Sequence, residues 1–115
     1  MHVTRIIISV LLALLFLGTG LAKLTGAKVS RDDAERFGFP YPRFRLIGVA
    51  EVLGAVGLIV GLFVPWIAVV SGIGLVLLMI GGAATHLRAK DPVPKAVPAV
   101  VAGALSAVVV VLALP

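Results

Sequence analysis

The sequence predicts an all-α integral membrane protein, a bundle of four transmembrane helices with both termini on the non-cytoplasmic side. Three observations predict it. The composition is 61% hydrophobic and 13% charged, with a mean hydropathy of +1.21, too apolar for a wetted globular surface. The apolar residues form long unbroken runs, where a transmembrane β-barrel would show segments of about 10 residues alternating in polarity. Nine of the ten Lys and Arg residues lie in or beside the two polar connectors that separate these runs.

After a polar lead carrying Arg5, the run IIISVLLALLFLGTGLA reaches Lys23. It predicts a first helix over about 4–24, close to the roughly 20 residues one crossing requires. A secretory signal peptide competes for this segment, with Gly20 and Ala22 as the small residues before a cleavage site. Cleavage would export Lys23, Lys28, Arg31, Arg36, Arg43 and Arg45, against the positive-inside rule. A polar connector over 25–43 follows. Within it Ser30, three residues before Asp33, resembles a helix-capping signature and predicts a short helix from Arg31 to about Phe37, ended by Gly38. Ala34, Phe37 and Phe39 would let that helix lie at headgroup level, with Tyr41 as an anchor. An ordered loop is the alternative.

From Arg45 to His86 the chain is apolar for about twice the length of one crossing, with Glu51 as its only acid. This is a hairpin: a second helix over about 44–62 after Pro40 and Pro42, and a third over about 65–87. Pro65 suits the third helix's first turn and Trp66 the membrane interface. The connector RAKDPVPK leads to a fourth helix over about 97–114, with Pro94 or Pro98 in its first turn. Four crossings place both termini on one side and both connectors on the other. Arg5 alone stands on the terminal side, so the connectors are expected to be cytoplasmic.

That topology brings Lys23, Glu51 and His86 to the same end of neighbouring helices. Glu51 lies six residues beyond Arg45, about 9 Å deeper along a helix. A carboxylate facing lipid there costs about 2–3 kcal/mol even on lenient insertion scales, so Glu51 is expected to point inward, paired or protonated. Lys23 is the first expected partner, with His86 and Arg45 as others. The cluster either pins helix register or forms a headgroup or proton-handling pocket for an amphiphile such as a quinone. Ala50, Gly54, Gly57 and Gly61 line one face of the second helix, which predicts close packing within the chain or in a homodimer through Gly57 and Gly61.

Several functions are excluded. Without cysteine there is no disulfide, thiolate metal site or cysteine-held iron–sulfur cluster. No haem is expected, because His2 and His86 belong to opposite sides and Met79 shares a helix with His86. No metal is expected for want of ligands. The net charge of +5 marks connectors rather than nucleic-acid binding, since no basic patch is interleaved with exposed aromatics.

Taken in order, Gly20-Leu21-Ala22-Lys23 closing the first helix, RLIGVAEVLGAVGLIVGL with its internal Glu51, and MIGGAATH ending in His86 resemble the DoxX-like family of small four-helix membrane proteins. The resemblance covers essentially the whole chain and implies a single domain over 1–115 in a bacterial inner membrane. The family name derives from a subunit associated with an archaeal terminal quinol oxidase and thiosulfate:quinone oxidoreductase. The resemblance therefore implies an accessory or assembly subunit of a redox-linked membrane complex, with a protein partner and no autonomous activity. Lys23, Glu51 and His86 are the matching positions for a quinone or lipid headgroup. The alternatives are a catalytic subunit of a quinone-linked oxidoreductase and a small transporter formed by oligomerisation.

Overall fold

The computed structural model describes residues 2–115. The chain is all-helical: α1 (His2–Thr25), α2 (Lys28–Phe37), α3 (Tyr41–Val60), α4 (Pro65–Arg88) and α5 (Val93–Ala113), with no strand among the described residues. Helices α1, α4 and α5 are long and apolar enough to cross a membrane. Arg43, Arg45 and Glu51 set α3 apart from these three.

Helix α1 packs most extensively on α3, and α4 on α5; narrower α3–α4 and α1–α5 contacts join the two pairs. Large apolar side chains such as Leu11, Leu14, Leu77 and Val111 face outward. Much of the interior is small, with Ala13, Ala55, Ala68, Ala102 and Ala113 buried around Leu12, Phe16, Leu58, Leu75 and Val109. This inversion of the soluble pattern follows from lipid, which removes the hydrophobic drive between helices and leaves close packing of small residues to hold them.

The small face of α3 is used within the chain. Side chains added at Gly54, Gly57 and Gly61 would run into Leu75, Ser71 and Ala68 of α4. The register is antiparallel, and at Gly61, next to the α3–α4 turn, the opposing atoms include the Ala68 backbone. Ala50, expected on the same stripe, is exposed.

Three helices start or stop elsewhere than expected. Helix α2 begins at Lys28 rather than Arg31, and its N-cap is Ala27 with no side-chain bond. Ser30 is instead buried inside the helix. The cause is the abrupt end of α1: Gly26 takes φ 76°, the Ala27 amide donates to the Ala22 carbonyl at 3.0 Å, and α2 starts at once. Gly38 ends α2 as expected, in the left-handed conformation. Helix α3 begins at Tyr41 with Pro42 in its first turn and stops at Val60. Helix α5 begins at Val93, with Pro94 in the first turn and Pro98 carried inside the helix. A proline this near the start interrupts few backbone bonds, so it marks the boundary less sharply than it would mid-helix.

Candidate functional site

The site begins at the α1–α3 crossing. A Cβ added at Gly20 would lie 2.8 Å from the Gly48 carbonyl oxygen, and one at Gly48 would lie 2.8 Å from the Gly20 carbonyl oxygen. The two backbones therefore touch. Lys23 and Glu51 stand three residues beyond these glycines on their respective helices. Side chains lean toward the N-terminus of their own helix, so in this antiparallel pair the two reach toward each other across the crossing. Lys23 Nζ meets Glu51 Oε1 at 2.6 Å.

Glu51 is 3% exposed. Its second oxygen, Oε2, accepts from the Thr19 hydroxyl, so both oxygens of the buried carboxylate have partners. The Lys23 ammonium also lies 5.3 Å from the centroid of the Phe44 ring, a cation–π distance. The Tyr41 hydroxyl donates to the Lys23 carbonyl at 2.5 Å and ties the start of α3 to the end of α1. Of the expected partners for Glu51, the structure selects Lys23; Arg45 is exposed.

His86 is engaged elsewhere. Its Nδ1 lies 2.7 Å from Asp91 Oδ2, and its ring stands edge-on to Phe37 at 5.1 Å. The link depends on how α4 ends. Lys90 adopts φ 60°, its amide donates to the Leu87 carbonyl at 3.0 Å, and the Asp91 amide donates to the His86 carbonyl at 3.1 Å. This Schellman closure folds Asp91 back onto the histidine. The other Asp91 oxygen pairs with Arg36 of α2, and Arg36 reaches Asp33 Oδ1 at 3.1 Å. Asp33, Arg36, Asp91 and His86 thus clamp α2 to the end of α4. The hydrogen bond from His86, aided by Arg36, holds the Asp91 carboxyl below its ordinary range against partial loss of solvent. Asp91 and then Asp33 raise the Arg36 guanidinium above its ordinary value.

Between the two polar groups lies a cavity of about 410 Å³. It forms because α3 and α4, in contact near their shared turn, leave room toward the connector end. All five helices line it. Thr19, Lys23 and Glu51 supply one polar wall, His86 and Asp33 another, and Phe16, Phe37, Phe39 and Phe44 supply aromatic surface. Leu77 and Leu78 of α4 and Ala99 and Ala102 of α5 extend the lining as apolar surface.

The three residues expected from sequence all border this cavity, two as an ion pair and the third through a separate acid. The sequence does not single out Thr19, Asp91, Arg36 or Phe37 for the site. Of these Thr19 alone carries a signal, lying four residues before Lys23 and so on the same helical face. An ammonium, a buried carboxylate and an imidazole around an apolar space can hold the polar head of an amphiphile and exchange a proton with it.

No curated protein and no solved structure matches the chain. The DoxX-like family matches residues 7–110, a stretch that includes every residue bordering the cavity. Because that match takes in most of the sequence, the chain belongs to the DoxX-like family.

Proposed function

We propose that the protein is an accessory subunit of a redox-linked complex in a bacterial inner membrane, and that its connector-end cavity binds the polar head of a quinone or lipid between Lys23, Glu51 and His86. One observation carries this reading: those three residues border a single cavity of about 410 Å³ whose remaining walls are largely apolar and aromatic. A quinone fits the donor set, since its carbonyl oxygens accept from an ammonium or an imidazole and its tail suits the apolar walls. When bound, the quinone would supply the two-electron chemistry; Glu51 and His86 would hold or pass the accompanying protons.

In this proposal α3 is a fourth crossing. The chain is one domain, its connectors face the cytoplasm, and its protein partner is a membrane or peripheral component of the complex. Pairing of Glu51 with Lys23 lowers the cost of placing α3 in the bilayer. A homodimer would use a face other than Gly57 and Gly61, which α4 already covers. Fully buried Leu12, Phe16, Leu58 and Leu75 separate the two polar ends of the bundle, which favours binding over transport. A catalytic role is the second reading, motivated by the ionisable groups at the cavity.

Purification in mild detergent followed by lipid extraction and mass spectrometry tests the site. Quinone is expected to co-purify and to be lost in Glu51→Gln. A phospholipid lost instead would identify a lipid headgroup as the ligand. Unchanged lipid composition with only a lowered melting temperature would leave Glu51 a purely structural residue and overturn the site.

A further inference from the structure

At the opposite end of the bundle, bordered by α1, α4 and α5, lies a second cavity of about 870 Å³. Its walls are mainly apolar, with Val69, Val70 and Leu112 among them. Arg5 of α1 also borders it and is only 7% exposed. Arg5 is held inward because it shares the buried face of α1 with Ser9, Leu12 and Phe16, a spacing of four, three and four residues.

A guanidinium carries five donors. Here one of them makes a long bond, from Nη1 to the Gly61 carbonyl at 3.5 Å. The acidic side chains of the chain are Asp32, Asp33, Glu35, Glu51 and Asp91. All belong to the connectors or to the connector half of α3. Among the described residues none forms an ion pair with Arg5. A charge this enclosed is costly without a counter-charge, and the side chains of the protein supply none at this end.

We propose that this cavity binds the phosphate of an anionic phospholipid, with Arg5 as its anchor. Guanidinium matches phosphate through two parallel N–H donors, a geometry an ammonium lacks. Helix α4 starts at Pro65, which borders the same cavity, and the positive end of its dipole adds to the attraction. The apolar walls suit the glycerol and upper acyl chain. Trp66, 67% exposed at the rim, suits the membrane interface. The site is independent of the Glu51 cavity and of any ligand there.

The test uses the full chain in neutral detergent, titrated with phosphatidylglycerol, with phosphatidylcholine of the same acyl chains, and with inorganic phosphate, and read by native mass spectrometry and thermal shift. Phosphatidylglycerol is expected to bind about tenfold or more tightly than phosphatidylcholine. Arg5→Gln removes that preference, Arg5→Lys retains part of it, and Arg43→Gln, an equal charge loss at an exposed position of the other end, retains it. Equal binding of the two lipids by the unsubstituted chain overturns the proposal whether or not any variant folds. So does a preference undiminished in Arg5→Gln, or one lost equally in Arg43→Gln. Inorganic phosphate binding as tightly as phosphatidylglycerol would make this a free-anion site and overturn the assignment to lipid.

Discussion

Gly20 and Gly48 meet backbone to backbone, each leaving only 2.8 Å between the other's carbonyl oxygen and the place its own Cβ would occupy. The Lys23–Glu51 ion pair at 2.6 Å depends on that approach. Two helices held apart by side chains at the crossing would leave the ammonium short of the carboxylate, and a buried acid would lose its partner.

Gly48→Ala is therefore expected to destabilise the protein by about 1–3 kcal/mol, the usual cost of forcing a methyl into a packed contact. The opposing atoms at 2.8 Å are the Gly20 carbonyl oxygen and Lys23 Cβ, one backbone and one bonded directly to it, and neither can rotate aside. Gly18 on the same helix as Gly20 has nothing within 4 Å of its absent Cβ, so Gly18→Ala should be neutral or stabilise by up to about 1 kcal/mol through helix propensity. Equilibrium unfolding in mixed micelles measures both. Equal effects at the two positions would show that the α1–α3 contact does not govern stability.

The ion pair itself is open to a double-mutant cycle. Lys23→Met should cost about 3–5 kcal/mol, because the Glu51 carboxylate stays enclosed, and Glu51→Leu should cost less, because the Lys23 side chain is partly exposed. The double substitution should recover much of that loss, since an apolar pair of similar volume carries no desolvation penalty. Additive losses in the double variant would mean that Lys23 and Glu51 do not act as a unit.

The clamp between α2 and α4 predicts a pH dependence. The Asp91 carboxyl is held below its ordinary value of 3.8, first by His86 and then by Arg36. A carboxyl depressed in the folded state binds its proton more readily in the unfolded one, so stability rises with pH in the range where only the unfolded state is protonated. The contribution of Asp91 is thus present in full above about pH 4 to 5 and is lost as pH falls through its folded value. Melting temperature measured from pH 2.5 to 7 should rise through this window in the parent chain and less steeply in Asp91→Asn. Parallel curves for the two proteins would exclude Asp91 as the titrating group.

Much of the candidate site is legible in the amino-acid sequence. Helical class, membrane character and the inward direction of Glu51 follow from local quantities: run length, hydropathy and the cost of a charge in lipid. Lys23 is readable as a partner because alternating crossings fix which helix ends are neighbours. The same reasoning offers His86 to Glu51, yet the histidine pairs with Asp91, which lies beyond a left-handed Lys90, a conformation that a lysine does not advertise. Arg5 counts in the sequence only as a flanking charge; its enclosure appears once α1 is rotated against its neighbours.

The sequence by itself determined that this chain forms apolar helices joined by basic connectors, and which residues were too polar to face lipid. Tertiary structure decided which backbones touch, that Gly57 and Gly61 serve α4 within the chain, and that two cavities lie at opposite ends, one beside a neutralised pair and one beside an arginine with no acidic partner among the described residues. The physical reason is range. Hydropathy and helix periodicity belong to residues a few positions apart, whereas burial, pairing and cavity shape arise where helices distant in sequence are brought within a few ångströms of each other.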